Sequence, residues 1–155
     1  MAPDHAHLCK ALSEEELTAA LGEAGVRVTR HRTLIYLTLA KLATHPTADE
    51  LHDAVHAEDT KVSLATVYNT LETLTELGLV RRIAPDAPGQ GCRFDAEIAP
   101  HVHMVMPDGC VSDVPDDLSE EILGSIPASL LDQLAKRMGV RINGIKIDLS
   151  CTPGR

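Results

Sequence analysis

A chain of 155 residues is long enough for one ordinary domain or two very small ones. Apolar residues make up 44% of it, which excludes a disordered chain, and aromatic residues make up only 2%, so aliphatic side chains must build the core. The 23 acidic and 14 basic residues give a formal charge of −9, which disfavours binding to a polyanion unless the basic residues cluster.

Hydropathy and cysteine spacing exclude two further classes. No apolar run approaches the ~20 residues of a membrane span, and the first twelve residues hold no apolar leader, so we expect a cytoplasmic protein without membrane contact. The four cysteines form no C-x-x-C pair, which argues against a disulfide framework and against a four-thiolate zinc site.

The first part of the chain predicts helices followed by a hairpin. Ser13 and Glu16 form an S-x-x-E capping box, and Ser63 is a candidate N-cap for a later helix. Helical periodicity covers residues 13–25, 29–43, 48–56 and 63–78. Two strand-like segments, 79–83 and 91–94, flank a loop with two prolines and a glycine. Helices followed by a two-stranded hairpin are typical of a winged helix-turn-helix.

The second part of the chain predicts a different order of elements, with strands on both sides of a helical segment. Strand-like segments at 103–106 and 110–114 flank a Pro-Asp-Gly turn, residues 118–138 are helical with an interruption at Pro127, and residues 140–149 alternate as a strand does. A module of about 60 residues is small for independent stability, so we expect it to dimerise.

The predicted fold class is therefore α+β, with an N-terminal winged helix-turn-helix domain followed by a small α/β dimerisation domain. The predicted boundaries are 1–94 for the DNA-binding domain (1–12 being a loose tail), 95–100 for a hinge, and 101–155 for the dimerisation and metal-sensing domain.

The helix that starts at residue 63 carries the nucleic-acid signal. Its first turns read S-L-A-T-V-Y-N-T, which offers hydroxyl and amide groups to phosphates or base edges, and the Tyr68 ring could contact a thymine methyl or a sugar. Basic residues cluster before the second helix and in the hairpin: Arg27, Arg30, His31, Arg32, Arg81, Arg82 and Arg93. An amphipathic helix with one half-buried tyrosine and solvated basic faces is the alternative interpretation.

The histidines carry the metal signal. His101 and His103 lie two residues apart at the start of a strand-like run, so both imidazoles can face one ion. Asp95 and Asp113 offer carboxylates nearby, and His45 stands at a helix break. Three nitrogens and two oxygens suit Fe(II), Mn(II), Co(II) or Zn(II). The alternative interpretation is a pair of exposed strand histidines that binds no metal.

Two rival functions remain at this point. A metal-dependent hydrolase using His101, His103 and Asp113 would need an open coordination position and a general base, and no glutamate stands beside a ligand in a familiar catalytic motif, so we expect no enzyme. A winged-helix interaction module without metal sensing is the other alternative.

Several segments together resemble the ferric uptake regulator superfamily of metal-responsive winged-helix repressors. They occur in family order, and the A-T-V-Y run after the H-P-T-A segment is especially specific. The similar segments are 25–32, 45–51, 63–71, 78–80, 93–95 and 101–103.

Within that superfamily the chain looks most like the peroxide-sensing repressors, because aspartate stands where iron-uptake regulators usually carry glutamate. The resemblance implies one regulatory site for Fe(II) or Mn(II), with Zn(II) possible in vitro, whose ligands are His45, Asp95, His101, His103 and Asp113. It implies that peroxide oxidises His45 and His101 when Fe(II) is bound. It also implies a homodimer that binds a pseudo-palindromic double-stranded DNA operator through Arg27, Ser63, Thr66, Tyr68 and Asn69. A regulator of iron, manganese or haem status without peroxide chemistry is the alternative.

One departure from the family pattern concerns its structural zinc. Most members hold that zinc with two C-x-x-C pairs, whereas here Met106 stands at the first cysteine position and only Cys151 remains near the C-terminus. Two scattered thiols do not close a zinc site, so we predict that structural zinc is absent.

Overall fold

The computed structural model describes residues 11–42, 44–85 and 87–154, which form two compact units. The first unit holds the described residues up to Pro85 together with Gly89–Ala99, and the second holds 87–88 and the described residues from Pro100 onward. Residues 1–10 of the predicted tail lie outside the described part of the chain.

Four helices build the described part of the first unit, and each begins where a hydroxyl side chain caps it. Their bounds are α1 Glu14–Glu23, α2 Arg30–Lys41, α3 Ala48–Glu58 and α4 Leu64–Glu76. The capping residues Ser13, Thr29, Thr47 and Ser63 each accept a hydrogen bond from a backbone N–H of the first turn. In α1 and α3 a glutamate completes a capping box, as the sequence predicted for α1.

Aliphatic side chains from all four helices form the core of this unit. Its fully buried members include Leu17, Leu21, Ile35, Leu39, Leu51, Val55, Val67, Leu71 and Leu74. Each such side chain contributes about 1.5–3 kcal/mol through burial. The buried Tyr36 is the main aromatic addition, and its phenol oxygen accepts a hydrogen bond from the Leu12 N–H at 2.9 Å.

A two-stranded hairpin follows the helices. Strand β1 (Arg81–Ile83) pairs antiparallel with β2 (Arg93–Asp95). The segment before α3 is tied to β2 as well, because the Phe94 N–H donates to the Pro46 carbonyl at 3.0 Å. This arrangement of helices and hairpin confirms the winged helix-turn-helix prediction. Asp95, which the sequence assigned to the hinge, is the last residue of β2.

The second unit contains a three-stranded sheet in the order β4-β3-β5. Strand β3 (Val102–Val105) pairs antiparallel with β4 (Val111–Asp113) and parallel with β5 (Ile147–Ser150). The predicted strand over 140–149 is wrong in its first part, because residues 140–146 form no strand. Strand β3 has only four residues, and each of them pairs with one residue of β5. The parallel pairing therefore extends over four residues of β5.

Helices α5 (Asp116–Gly124) and α6 (Ala128–Met138) connect β4 to β5, separated at Pro127 as predicted. Helix α6 buries none of its residues within the unit. Leu130, Leu134 and Met138, which lie four positions apart on one face, are 57%, 50% and 66% exposed. No helix among the described residues has both the length and the apolar content to cross a membrane.

Candidate metal centre and nucleic-acid interface

Two histidines and an aspartate meet at the antiparallel edge of the second unit's sheet. His103 on β3 lies directly opposite Asp113 on β4, and His101 precedes β3. The Asp113 Oδ1 atom is 3.3 Å from His101 Nε2 and 3.4 Å from His103 Nε2. Both imidazoles are buried, and one ligand atom of each residue lies within 4.8 Å of the other two. The structure therefore brings together the H-x-H pair and the carboxylate that the sequence singled out.

A second carboxylate lies on the other side of the His103 ring. Asp148 on β5 is the parallel register partner of His103, and its Oδ1 atom is 3.2 Å from His103 Nδ1. Sequence reasoning missed Asp148. The only available signal was an acidic residue within a predicted strand, which identifies no partner until the strand register is known.

The first unit holds a histidine–aspartate pair of its own. His45 lies in the loop between α2 and α3, and its Nε2 atom is 3.5 Å from Asp95 Oδ2. Both side chains are buried. Arg93, two residues before Asp95 on β2, donates from Nη1 to the His45 carbonyl at 2.9 Å and to Glu50 Oε2 at 3.1 Å. Glu50 also accepts the Thr47 N–H at 2.9 Å, so this ion pair is part of the α3 capping box.

The backbone of His45 has an unusual conformation. Its φ of 49° lies in the left-handed region, which costs a residue other than glycine about 1–2 kcal/mol. Such a conformation persists only where its surroundings hold it, and the Arg93 guanidinium on the His45 carbonyl provides such a contact. The imidazole is thereby fixed beside Asp95.

The chemistry of these groups suits a divalent transition metal. Imidazole nitrogens and carboxylate oxygens without a thiolate match Fe(II), Mn(II), Co(II) and Zn(II) better than they match a soft cation. Each unit holds both donor types, with His45 and Asp95 in the first unit and His101, His103 and Asp113 in the second.

The start of α4 presents the predicted DNA-contacting side chains. Ser63, Tyr68, Asn69 and the separate Arg27 are exposed, and Thr66 is half-buried. Ser63 and Thr66 share a 2.9 Å hydrogen bond between their hydroxyl oxygens, and the Ser63 hydroxyl also accepts the Thr66 N–H. Ser63 therefore also caps the helix that carries the candidates, and Thr66 is the residue whose N–H it caps.

Tyr68 is held by a carboxylate at the start of α3. Its hydroxyl donates to Asp49 Oδ2 at 3.1 Å, while the residue keeps 49% of its surface exposed. The hydrogen bond to Asp49 raises the pKa of Tyr68, because ionisation would break the bond and place two negative charges side by side. The ring is oriented outward with its hydroxyl already occupied.

The predicted basic clusters are partly used within the first unit. Arg30 Nη2 and His31 Nε2 lie 3.5 Å and 3.7 Å from Asp59 Oδ2. The Lys61 N–H bond, followed by the charge of these neighbours, lowers the pKa of Asp59 below its usual value. Arg93 holds His45 and Glu50, so it does not belong to an exposed cluster as the sequence suggested.

Comparisons with known proteins agree with this fold. The model of the ferric uptake regulator family matches residues 23–139. A 91-residue segment is 36% identical to the peroxide-responsive repressor PerR of Staphylococcus aureus, covering 59% of this chain and 60% of that relative. The chain thus matches less than two thirds of the relative's length.

Two solved structures are similar over nearly the whole chain. The ferric uptake regulator of Pseudomonas aeruginosa with manganese is 26% identical, with a TM-score of 0.67 over 89% of this chain and 98% of that one. The peroxide stress regulator of Campylobacter jejuni is 25% identical, with a TM-score of 0.63 over 91% and 96%.

Proposed function

The chain belongs to the ferric uptake regulator family, and on that premise we propose that it is a homodimeric, metal-dependent DNA-binding repressor of the cytoplasm that senses peroxide. The observation that carries the proposal is the donor chemistry. Each unit holds at least one buried imidazole against an aspartate, and the described residues of the two clusters include no thiolate.

The proposed regulatory ion takes ligands from both units. His45 and Asp95 belong to the first unit, and His101, His103 and Asp113 belong to the second. An ion that needs both sets binds one arrangement of the units better than any other, and this difference in affinity lets it shift the population toward the DNA-binding state. Because the C-x-x-C pairs of most family members are absent, the proposal includes no structural zinc.

The aspartates among the proposed ligands and the similarity to a peroxide-responsive repressor support peroxide sensing. Bound Fe(II) supplies the redox chemistry that activates peroxide. In the net reaction one peroxide oxygen replaces a ring C–H hydrogen of His45 or His101 as a hydroxyl, and the other leaves as water. An oxidised ring is a poorer ligand, so the protein releases the metal and then the DNA. Mn(II) supports DNA binding without this oxidation.

The proposed DNA interface is the exposed start of α4 with the arginine before α2. Arg27 contacts the phosphate backbone, and Ser63, Thr66, Tyr68 and Asn69 face the operator. With a formal charge of −9, binding should be strongly salt-dependent, and a bound cation should strengthen it by neutralising carboxylates. A homodimer places two copies of α4 on a pseudo-palindromic site.

Peptide mass spectrometry tests the peroxide chemistry directly. Protein loaded with Fe(II) is treated with peroxide, and a Mn(II)-loaded sample serves as the control. We expect one added oxygen on the peptides that carry His45 or His101, in the iron sample only. His52 and His56 on α3 lie outside the proposed ligand set and should stay unmodified in both samples.

The alternative is a regulator of iron, manganese or haem status. The similarity to a ferric uptake regulator that was solved with manganese favours a metal-status regulator as the second candidate. Unmodified histidines at full iron occupancy would support it and refute peroxide sensing. DNA affinity that ignores both added metal and His45→Ala would instead indicate a metal-independent interaction module.

A further inference from the structure

Three side chains stand in a row across the sheet of the second unit. Because β3 is the central strand, His103 has Asp113 opposite it on β4 and Asp148 opposite it on β5. The two carboxylates approach different ring nitrogens. Asp113 Oδ1 lies 3.4 Å from Nε2, and Asp148 Oδ1 lies 3.2 Å from Nδ1.

We propose that Asp148 is a positioning residue of the metal centre, which holds the Nδ1–H of His103 and leaves the Nε2 lone pair for the ion. This inference rests on the proposed regulatory site. A neutral imidazole carries one N–H and one lone pair, so a carboxylate that accepts from one nitrogen decides which nitrogen binds the metal. The same hydrogen bond makes the ring a stronger electron donor.

The geometry separates Asp148 from the metal ligands. The His101 and His103 Nε2 atoms both face Asp113 Oδ1, and that shared side is where a cation would sit. Asp148 contacts the opposite edge of the His103 ring, so it acts through the imidazole.

Exposure makes the proposal testable without unfolding the sheet. The His103 side chain is 1% exposed, whereas the Asp148 side chain is 44% exposed. Replacing Asp148 therefore leaves no closed cavity and does not strand a buried carboxylate. The backbone pairing of β3 with β5 does not depend on the side chain at this position.

Mn(II) binding to the full chain gives the first measurement, by competition with a chelator. We expect Asp148→Ala to weaken Mn(II) binding roughly 10- to 100-fold. Asp148→Asn should stay closer to the wild type, because its amide oxygen can still accept the Nδ1–H. Asp117→Ala removes one exposed carboxylate from the same unit and should leave the affinity unchanged. Thermal unfolding of the metal-free variants verifies that each is folded.

An NMR measurement distinguishes a hydrogen-bonding role of Asp148 from a purely electrostatic role. In the Zn(II)-loaded protein with ¹⁵N-labelled histidine, the Nδ1–H of His103 should exchange slowly with water in the wild type and in Asp148→Asn. In Asp148→Ala the same proton should exchange quickly, since solvent replaces its partner. A purely electrostatic role would weaken both variants equally and leave the proton of Asp148→Asn no different from that of Asp148→Ala.

The outcomes distinguish this inference from the proposed function. If the wild type binds Mn(II) and His103→Ala loses it, while Asp148→Ala binds as the wild type does, only the role of Asp148 is refuted. Equal weakening of the two Asp148 variants would overturn it as well. If the wild type binds no ion, or if His103→Ala leaves binding unchanged, the regulatory site itself is wrong.

Discussion

The hydrogen bond from Arg93 to the carbonyl of His45 links strand β2 of the hairpin to the strained loop between α2 and α3. Arg93 sits two positions before Asp95 on β2, so one strand supplies a proposed ligand and also holds the backbone of another. A hydrogen bond from a charged donor contributes about 1.5–3 kcal/mol. That is comparable to the cost of the left-handed backbone at His45, so the loss of this one contact should be enough to release the loop.

We therefore predict that Arg93→Ala lowers the Mn(II) affinity roughly tenfold or more, since the freed His45 must be reordered on binding. A chelator competition assay measures the change. Arg82→Ala, on the exposed side of the neighbouring strand, removes the same charge and is the matched control. Equal affinities of the wild type and Arg93→Ala would show that the loop needs no such support.

Tyr68 offers a pH-dependent test of the contact with Asp49. We predict that Asp49→Asn lowers the pKa of Tyr68 toward its ordinary value of about 10, because the variant lacks the neighbouring negative charge. An absorbance titration of tyrosinate measures it. The chain has only two tyrosines, and the other, Tyr36, is buried, so Tyr68→Phe identifies the transition.

The sign of the linked stability effect follows from the direction of the shift. A pKa that is raised in the folded state adds stability that is fully present below the unfolded value near 10 and is lost as the pH rises through the folded value. Because Tyr68 is about half exposed, solvent screens most of this effect. A titration midpoint that Asp49→Asn leaves in place would contradict a contribution of the Asp49 charge to the pKa of Tyr68.

Single residues also show how far sequence reasoning reaches at this site. The i, i+2 spacing at the start of a strand-like run was enough to predict that His101 and His103 lie together, although His101 precedes β3. It was not enough to find Asp148, because that contact joins residues 45 positions apart and depends on the register of a parallel pair. Arg93 was misassigned for a similar reason, since a charge by itself does not show that its partner is a loop carbonyl.

At the scale of elements, the start of α4 combines two roles in one residue. Ser63 caps the helix and also belongs to the proposed DNA interface. We predict that Ser63→Ala destabilises the protein by about 1 kcal/mol, since the Thr66 N–H loses its acceptor. Chemical denaturation measures this cost.

Ser63→Asp separates the two roles. Aspartate caps a helix as well as serine does, so the free energy of unfolding should return close to the wild-type value. Its negative charge, placed toward the phosphates, should still weaken operator binding. Normal operator affinity in this variant would show that Ser63 serves only as a cap.

The elements themselves were largely predictable, because their signals are local. The capping residues identified the helix starts, and Pro127 separated α5 from α6. Strand β5 was overextended because alternation continues through residues 140–146, where no partner strand is available. The length of β5 depends on its pairing with β3, and the sequence of residues 140–149 alone does not show where that pairing begins.

At the scale of the whole molecule, the apolar face of α6 bears on oligomeric state. Leu130, Leu134 and Met138 form an exposed stripe on a helix none of whose residues is fully buried. A helix with one apolar face normally packs that face against another element, and in the proposed homodimer the other element is a second copy of the chain. We predict that Leu134→Glu yields monomers that bind a palindromic operator much more weakly.

Sedimentation velocity in the presence of Mn(II) measures this change in mass. The control is Glu120→Gln, a substitution at an exposed position of α5 that should leave the dimer intact. If Leu134→Glu sediments with the mass of the wild-type dimer, the two copies associate through another surface.

The left-handed backbone of His45 has a consequence for how this chain can evolve. Asparagine tolerates that conformation better than histidine does, so His45→Asn should keep or improve thermal stability while it removes a proposed ligand. Selection for robustness alone would therefore tend to drive histidine out of this position. Its persistence in a lineage would record continued selection for the metal response, and a lineage released from that selection should lose His45 early.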